Sequence, residues 1–434
     1  MKERVSVFWF RRDLRLNDNR GLSAALDSGF PVLPVFIFDT DILGKLDDKK
    51  DRRVTFIYRN LQKINEQLAK NGSRLFVFYG KPVEIWKELP GKFNVASAFW
   101  NGDYEPYARR RDEDVAAVLA EKGIPAFSFK DQVVFEKSEI VKDDGMPYTV
   151  FTPYKNKWRR SIAEKDMQEF PSEKRAGNFL RTDFVPLPPL SSFGFEETEM
   201  DCSVPPLNDE MLRTYSSLRD FPARRATSHL SVHLRFGTVS IRALFRRALA
   251  VSETWTNELI WREFFMQVLW HFPHVEKDSF RKEYDRIAWR NNEEEFERWK
   301  NGMTGFPLVD AGMRELNETG FMHNRVRMMT ASFLVKHLLI DWRWGEAYFA
   351  SKLLDFDLAA NNGNWQWAAG TGTDAAPYFR IFNPHEQQKK FDPEFEYVKK
   401  WVKEFGTEKY PLPLIDHAAA RGRCLAAYSA AVKD

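Results

Sequence analysis

Short apolar runs rich in Val and Phe alternate with helical patterns over residues 1–130. Four such runs predict β-strands: Val5–Phe10, Val32–Phe38, Leu75–Tyr79 and Val95–Trp100. Between the second and third runs, apolar residues recur every three or four positions and predict one face of a helix: Val54, Ile57, Leu61, Ile64 and Leu68. Alternating strands and helices predict an α/β domain with an open parallel sheet covered on both faces. This Rossmann-like pattern lacks a G-x-G-x-x-G after any strand, so a nicotinamide dehydrogenase is not expected.

The pattern changes twice along the rest of the chain. Residues 131–205 are rich in Pro and mixed in charge, which predicts a connector with short helices, although Tyr148–Trp158 is apolar enough to pack against a core. Beyond Met211 the strand signals nearly vanish, and five segments predict helices: Ser240–Val251, Glu258–Trp270, Leu308–Thr319, Asn324–Leu339 and Gly345–Leu353. The predicted organisation is therefore an α/β domain at 1–130, a connector at 131–205 and an all-α domain at 206–434.

Composition excludes several classes of protein. The net charge is only +3, but Arg213–Arg247 contains eight Arg and one acid, Asp220, which predicts a basic face for phosphate contact. The two cysteines, Cys202 and Cys424, cannot form a disulfide scaffold, a four-Cys zinc site or an all-Cys iron–sulfur cluster, and no metal site is expected. The N-terminus has no signal-peptide pattern and no apolar stretch of about 18 residues occurs, so we expect a cytoplasmic protein.

The segment Asp355–Pro384 carries the most unusual chemistry of the chain. Carboxylates, amides and Trp are crowded there without the period of a core helix. A buried amide or carboxylate needs a partner or costs free energy, so the segment predicts a pocket for a flat ligand with polar edges, held by loops rather than helices. An Asn/Gly-rich surface loop is the alternative. The 14 Trp and 37 Phe fit either rings used for stacking and electron transfer or bulk in a helical core.

Three further segments combine polar groups with predicted helices. The hydroxyls of Thr227–Ser231 precede a helix, where they suit a phosphate or simply cap the helix. Glu258, Trp261 and Arg262 share one helix face, which could grip a base or form a surface ion pair beside a core Trp. His323 opens another helix without a second metal ligand four residues later, so we interpret it as a hydrogen-bonding residue.

Taken together, these segments resemble the photolyase/cryptochrome family of flavoproteins along nearly the whole chain. The motifs that carry the resemblance are Phe10–Asn19, Asn101–Tyr107, Trp261–Phe264, Thr304–Ala311, Asp355–Pro384 and Ile415–Arg421. The (6-4) photolyases and animal cryptochromes usually carry a second His where Asn324 stands. Single-strand-specific cryptochromes usually carry Ser and Gln in place of His323 and Met328. The chain is thus most similar to the bacterial class I photolyases that act on cyclobutane pyrimidine dimers (CPDs).

The resemblance implies an FAD in the helical domain, reduced and anionic when active. Its implied contacts are Tyr215, Thr227, Ser228, Leu230, Ser231, Arg262, Arg327, Asp355, Phe356, Asp357 and Asn361, with Arg327 paired to Asp355 and Asn361 facing flavin N5. The implied lesion pocket contains Glu258, Trp261, Asn324, Met328 and Trp367, while Arg219, Arg325 and Arg380 would meet DNA phosphates. Trp365, Trp342 and Trp289 match the family's electron relay to the flavin. The alternative is that all three simply pack a core.

The implied activity is that of a deoxyribodipyrimidine photo-lyase, a light-driven carbon–carbon lyase. Reduced flavin would pass an electron to a CPD flipped out of DNA, the cyclobutane ring would open and the electron would return. An antenna chromophore, whether a folate, a deazaflavin, a second flavin or none, would lie at Asn101, Asp103 and Glu105. We expect UV-damaged DNA as partner, a monomer, no membrane and no obligate protein partner.

Two other functions are weighed against this one. A cryptochrome-type blue-light photoreceptor would signal through a protein partner, and such proteins often carry a long disordered C-terminal extension. The sequence stops soon after Arg423 in an Ala-rich helical pattern, which favours the enzyme. Repair of (6-4) photoproducts is opposed by Asn324.

Overall fold

The computed structural model describes residues 3–433, which form two compact units. The first unit comprises Met1–Glu136, Ser161–Pro206 and His229–Ala250, and the second Lys137–Arg160, Leu207–Ser228 and Val251–Asp434. Each unit draws on three separate segments, so the boundaries expected at residues 130 and 205 stay a prediction.

The first unit is built on a parallel sheet with the strand order β3-β2-β1-β4-β5. Its strands are β1 Arg4–Phe10, β2 Val32–Asp39, β3 Phe76–Gly80, β4 Asn94–Asn101 and β5 Ala126–Phe129. Every residue of β2 is buried, as expected for a strand covered on both faces. The α/β prediction is confirmed. The sequence did not indicate β5, which has only four residues and two exposed positions.

Helices account for most of the remaining ordered structure. They are α1 Arg20–Leu26, α2 Thr40–Leu43, α3 Arg52–Ala69, α4 Pro82–Lys92, α5 Pro106–Glu121, α6 Phe151–Ser161, α7 Asp209–Leu218, α8 Ser231–Phe236, α9 Ile241–Val251, α10 Glu253–His271, α11 Glu293–Lys300, α12 Pro307–Thr319, α13 Asn324–Ser332, α14 Trp342–Lys352, α15 Leu358–Ala369, α16 Pro384–Phe391, α17 Glu396–Trp401 and α18 His417–Lys433. The predicted stripe lies on α3, where Val54, Leu61, Ile64 and Leu68 are buried. Asp51 caps that helix by accepting a hydrogen bond from the Arg53 backbone.

The second unit is helical, as predicted for the C-terminal half. One of its core clusters includes the fully buried indoles of Trp299, Trp342 and Trp365. The helix expected at 324–339 is α13 followed by a single π-helical turn, Phe333–His337. The apolar segment expected to pack down forms α6, which buries Trp158 among its residues.

Three expectations about the chain as a whole concern its cysteines, membrane spans and metal sites. Cys202 and Cys424 are both buried, and neither forms a disulfide. Among residues 3–433, no helix is long and apolar enough to cross a bilayer. Within the same residues, no cluster of three or more His, Cys, Asp or Glu side chains could hold a metal ion.

Candidate flavin site

A cavity lies in the second unit between α13, α14, α15 and the turn that precedes α15, with about 590 Å³ of empty space that includes open solvent. The expected site residues that line it are Asn324, Arg327, Met328, Asp355, Phe356, Asp357, Asn361, Trp365 and Trp367. The rest of its wall comes from Ala331, Phe349, Leu353, Ala360, Asn364 and Ala368. Carboxylates, amides and a guanidinium at the edges of an apolar, aromatic wall suit a flat ligand with polar edges.

The expectation that loops hold this chemistry was wrong, because Asn361, Trp365 and Trp367 lie on helix α15. The Asp357 side chain caps the helix by accepting from the Ala360 backbone at 3.2 Å, and Gly370 ends it at φ 82°. Polar residues occupy both faces of α15, so the sequence shows no amphipathic period. One face meets the cavity, and the amides of the other face are hydrogen-bonded to the 275–278 segment.

That second face is anchored by two side chains. Asn362 donates from Nδ2 to the Val275 carbonyl at 2.7 Å, and Gln366 donates from Nε2 to the same carbonyl at 3.0 Å. Both side chains are almost fully buried, so these bonds satisfy amides that would otherwise destabilise the helix. The position of Asn361 and Trp365 in the cavity wall is therefore fixed from behind.

An ion pair closes one edge of the cavity. Arg327 donates from Nη2 to Asp355 Oδ2 at 2.9 Å, and its Nε donates to the Met322 carbonyl at 2.7 Å. A guanidinium held at two points presents the Asp355 carboxylate in a fixed orientation. The carboxylate can accept hydrogen bonds from a ligand edge that carries N–H or O–H groups.

Glu346 is a neighbour of this site that the sequence did not point out. Asn361 donates from Nδ2 to Glu346 Oε1 at 2.7 Å and to the Glu346 backbone carbonyl at 3.2 Å. Burial raises the pKa of Glu346 to about 6, and nearby Glu276 adds to the increase. In the sequence Glu346 is one acid on a helix, and only the packing of α14 against α15 brings it to Asn361.

Trp365 lines the cavity, whereas Trp342 and Trp289 are not among its lining residues. Trp365 is 2% exposed, Trp342 is 1% exposed and Trp289 is half-buried. Trp365 packs on Gly345, one turn after Trp342 on the same helix. The Trp289 segment lies beside the start of α14, since the Asp341 backbone donates to Asn291 Oδ1 at 2.9 Å. Within residues 3–433, Trp342 Nε1 has no hydrogen-bond acceptor.

Trp299 is a further aromatic neighbour that the sequence did not indicate. Its ring centroid lies 6.2 Å from that of Trp365 in an edge-on arrangement, and it is fully buried. Its Nε1 donates to the Thr330 carbonyl at 3.1 Å. Trp299 thus contacts Trp365, the first indole of the expected relay, but lies on α11, whereas Trp342 lies on α14.

Gly345→Ala is expected to destabilise the second unit. A Cβ at this position would lie 2.1 Å from Trp365 Cη2 and 2.5 Å from Leu334 Cδ2. Overpacking of this kind costs about 1–3 kcal/mol, more than the roughly 1 kcal/mol that Ala gains over Gly in a helix. Urea unfolding followed by Trp fluorescence measures the change. The control is Gly422→Ala in α18, where no atom lies within 4 Å of the added Cβ and no loss is expected.

Three expected site residues of α10 lie on one face of that helix: the lesion contacts Glu258 and Trp261 and the flavin contact Arg262. Glu258 forms an ion pair with Arg219, and burial nevertheless raises the pKa of Glu258. Trp261 stacks on Phe151, with ring centroids 3.5 Å apart and an interplanar angle of 9°. Arg262 is half-buried beside Trp261. Phe151 is a contact that the sequence did not reveal.

The arginines expected to meet phosphates are placed differently from one another. Arg325 pairs with Asp220 at 2.7 Å, and Arg219 lies 3.7 Å from the same carboxylate. Arg380 is exposed, with its guanidinium 5.7 Å from the centroid of the Phe382 ring. Phosphate contact by these residues stays a prediction.

The interpretation of Arg213–Arg247 as a basic face is wrong for Arg242. That side chain is 4% exposed and donates to Asp18 at 2.8 Å and to Asp131 at 2.8 Å within the first unit. Arg15 pairs with Asp131 at 2.6 Å in the same network. The two carboxylate partners of Arg242 lie far away from it in the sequence, so a count of charges within Arg213–Arg247 could not reveal them.

The residues expected to hold the FAD phosphates are divided between the units. Tyr215, Thr227 and Ser228 belong to the second unit, whereas Leu230 and Ser231 belong to the first. Leu230 precedes α8, and Ser231 is its first residue. Burial raises the pKa of the Tyr215 hydroxyl, which therefore stays protonated. A phosphate site at these residues stays a prediction.

The expected antenna residues lie at the carboxyl end of β4, next to β1, where the order of the strands reverses. Such positions commonly bind ligands in open α/β sheets. Asn101 donates both amide hydrogens, to Asp13 and to Asn19 at 2.8 Å, and accepts from the Gly21 backbone at 3.0 Å. Asn101 therefore supports the fold of this edge through its side chain.

Asp103 and Glu105 are engaged in ion pairs of the first unit. Arg12 lies 3.0 Å from both carboxylates, and Arg235 lies 2.5 Å from Glu105. Burial opposes ionisation, but Arg12 and Arg235 lower the pKa of Asp103 to about 2. Contact of these residues with an antenna stays a prediction.

Comparison with known families agrees with this geometry. A family model described as the FAD binding domain of DNA photolyase matches residues 255–407, and one described as DNA photolyase matches residues 6–174. A deoxyribodipyrimidine photo-lyase of Agrobacterium fabrum is 36% identical over 100% of this chain and 99% of its own length. The chain belongs to the DNA photolyase family. The predicted family and the FAD-binding helical domain are thereby confirmed.

Solved structures show the same fold. A bacterial class III photolyase from Agrobacterium tumefaciens has a TM-score of 0.89 at 34% identity and covers 100% and 99% of the two chains. An archaeal photolyase from Sulfolobus tokodaii with two FAD molecules has a TM-score of 0.82 at 35% identity, over 98% and 99%. A cryptochrome from Synechocystis has a TM-score of 0.82 at 25% identity, also over 98% and 99%. The family thus contains both repair enzymes and a cryptochrome among its structural relatives.

Proposed function

We propose that this member of the photolyase family repairs cyclobutane pyrimidine dimers in UV-damaged DNA with light and an FAD held in the cavity of the second unit. One observation carries the proposal. The same cavity wall contains the residues expected to hold the flavin, such as Asp355 and Asn361, and residues expected to line the lesion pocket, Asn324, Met328 and Trp367. A flavin and a dimer bound in the same cavity could exchange an electron directly, without a further carrier between them.

The residues present fit the flavin. Bound in its reduced state, FAD supplies the electron when it absorbs light. Asp355, oriented by Arg327, provides acceptors for the polar edge of the ring system. Asn361 provides an amide at the cavity wall, and Trp365 an aromatic surface. The apolar side chains of Phe349 and Ala368 exclude water from the same space.

The α10 face supplies the grip on the lesion. Burial raises the pKa of Glu258, so its carboxyl group holds a proton over a wider pH range than a free glutamate. When it is protonated and released from Arg219, it can donate a hydrogen bond to a pyrimidine carbonyl. Trp261 offers an indole for stacking, which contributes on the order of 1–3 kcal/mol per base and offsets part of the cost of flipping the dimer out. Phe151, stacked on Trp261, keeps this indole in place.

We further propose that the protein acts as a monomer on DNA in the cytoplasm. The two cysteines, buried and outside any disulfide, support a reducing compartment. Asn324 in the cavity wall supports CPDs rather than (6-4) photoproducts as substrate. The alternative is a photoreceptor that signals, which the structural similarity to a cryptochrome supports.

Illumination of the FAD-loaded, chemically reduced protein with an oligonucleotide that carries one thymine CPD tests the proposal. The matched substrate carries a (6-4) photoproduct at the same site, and a dark sample is the second control. We expect the CPD to disappear only in the light and the (6-4) photoproduct to remain. Repair of the (6-4) photoproduct alone would contradict the substrate assignment. Repair of neither lesion would favour a photoreceptor.

A further inference from the structure

Helix α6 is held against α10 by two hydrogen bonds between buried side chains. Trp158 Nε1 donates to Glu263 Oε2 at 2.7 Å, and Gln267 Nε2 donates to the Tyr154 hydroxyl at 3.0 Å. Because buried polar groups need such partners, these bonds fix the position of α6 along α10. They place the start of α6 beside the face of α10 that carries the expected lesion contacts.

Trp261, one of those contacts, lies in a stack of three rings. The Phe151 ring covers one side of the indole, with centroids 3.5 Å apart and an interplanar angle of 9°. The Phe265 ring, one helical turn further along α10, stacks on the indole at 5.5 Å and 26°. Phe265 in turn packs on Gly363 of α15, where an added Cβ would lie 2.2 Å from Phe265 Cδ1. The plane of the half-buried indole is therefore set by its two neighbours.

The Phe151 end of this stack is tied down by Asp374. The backbone N–H of Phe151, in the first turn of α6, donates to Asp374 Oδ2 at 3.0 Å. N–H groups in the first turn of a helix have no partner within the helix, and the helix dipole also favours a carboxylate there. The cap comes from the loop between α15 and α16, 223 residues further along the chain. The exposed Arg380, an expected phosphate contact, lies on the same loop.

Asp374 adopts an unusual backbone conformation where it makes this contact. Its φ is 46°, in the left-handed region that is unfavourable for a residue other than Gly. The adjacent Thr373 donates from Oγ1 to the Thr149 carbonyl, so two successive residues of the loop bind the segment that begins α6. Backbone strain of this kind persists only where the surrounding contacts hold it, and it is concentrated at functional sites.

We propose that Asp374 is a positioning residue that, through Phe151, sets the plane of Trp261 for stacking against the damaged bases. The proposal rests on the lesion site proposed above. Without the carboxylate, the start of α6 loses its cap and Phe151 no longer holds the indole in one plane. A dimer must then order the ring as it binds, which weakens binding. Bases that stay in the duplex do not reach Trp261, so their binding does not depend on Asp374.

Binding of the FAD-loaded full-length protein in the dark to a duplex with one thymine CPD, compared with the undamaged duplex of the same sequence, tests the proposal. Asp374→Gly removes the cap and suits the positive φ. We expect its affinity for the CPD duplex to fall at least about fivefold, and its affinity for the undamaged duplex to stay near wild type. Asp374→Asn keeps an acceptor oxygen and tolerates the same φ, so it should keep the wild-type preference.

Thr373→Val is the matched control, because it removes the neighbouring bond of the loop and leaves the bond to Phe151 in place. It should keep the ratio of the two affinities close to wild type. An equal loss for both duplexes in Asp374→Gly would overturn the inference, since a loosened loop weakens phosphate contact by Arg380 with either DNA. An unchanged CPD affinity in Asp374→Gly would overturn it as well.

Phe151→Leu gives a second route that leaves the loop intact. It removes the ring through which Asp374 acts, so it should lower the preference for the CPD duplex by itself. Asp374→Gly should then add no further loss in the Phe151→Leu background. Losses that add in the double variant would mean that Asp374 acts elsewhere and would contradict the proposal.

Failure of the proposed repair activity looks different. A wild-type protein that prefers the CPD duplex but repairs no dimer in the light would leave the role of Asp374 intact and remove CPD repair. A wild-type protein without any preference for the CPD duplex would remove both the lesion site and the role of Asp374.

Discussion

Trp342→Phe should slow photoreduction of the bound flavin by at least about tenfold, equivalent to about 1.4 kcal/mol in the barrier, and leave dimer repair by chemically reduced enzyme nearly unchanged. Trp342 is fully buried and lies one turn from Gly345, on which Trp365 packs. Phe preserves most of the ring volume at this site but is far harder to oxidise than indole. The substitution thus interrupts electron supply from the surface without altering the flavin or lesion contacts.

Absorption spectroscopy under blue light with an external reductant measures this effect. The matched control is Trp299→Phe, since Trp299 is equally buried and lies 6.2 Å from Trp365 between ring centroids. We expect Trp299→Phe to keep photoreduction close to wild type. Slow photoreduction in Trp299→Phe together with normal photoreduction in Trp342→Phe would contradict this prediction. It would indicate that the relay runs from Trp365 through Trp299 instead of Trp342. Trp289→Phe should slow photoreduction in the same way as Trp342→Phe.

Arg242→Met should destabilise the first unit by about 3–5 kcal/mol, because it leaves buried carboxylates without their cation. Arg242 pairs with Asp18 and Asp131, whose side chains are 2% and 1% exposed. Met retains the apolar stem of the side chain, so the loss reports the guanidinium itself. Urea unfolding at neutral pH measures the change in the free energy of unfolding. The control is Arg225→Met at an exposed position, whose stability should stay within about 0.5 kcal/mol of wild type.

The pH dependence of this effect has a definite sign. Burial raises the pKa of Asp131, but the guanidinium groups of Arg15 and Arg242 outweigh it and hold the pKa below the usual value. A carboxyl with a depressed folded-state pKa stabilises the fold above its unfolded pKa of about 3.9 and loses that contribution as the pH falls. The difference between wild type and Arg242→Met should therefore shrink below about pH 4. An equal difference at pH 3 and pH 7 would contradict the ion-pair account.

The sheet and most helices could be predicted because burial on two faces leaves a simple pattern in the sequence. The run Val32–Phe38 is apolar throughout and forms a strand that is buried throughout. In contrast, α15 has hydrogen-bonded amides on one face and cavity residues on the other, so its polar positions follow no helical stripe. The feature that made this segment appear to be a loop is the one that makes it a site.

Contacts between residues distant in the sequence account for the other features of the structure that the sequence did not predict. Glu346 meets Asn361 only because α14 packs on α15, and Arg242 meets Asp18 and Asp131 only in the folded first unit. Types of residue predicted a pocket at Asp355–Pro384, and the resemblance to the photolyase family supplied the individual contacts. The groups that orient those contacts are ordinary acids and arginines, which carry no local signal.

The missing acceptor at Trp342 Nε1 would give the expected relay a direction. An oxidised indole becomes strongly acidic, and a nearby base would trap the positive hole by taking the proton. Trp342 has no such base among the described residues, so we expect a hole that reaches it to keep its mobility and continue to Trp289. Trp289 is half-buried, so we expect water to take the proton there and to hold the separated charge at that ring.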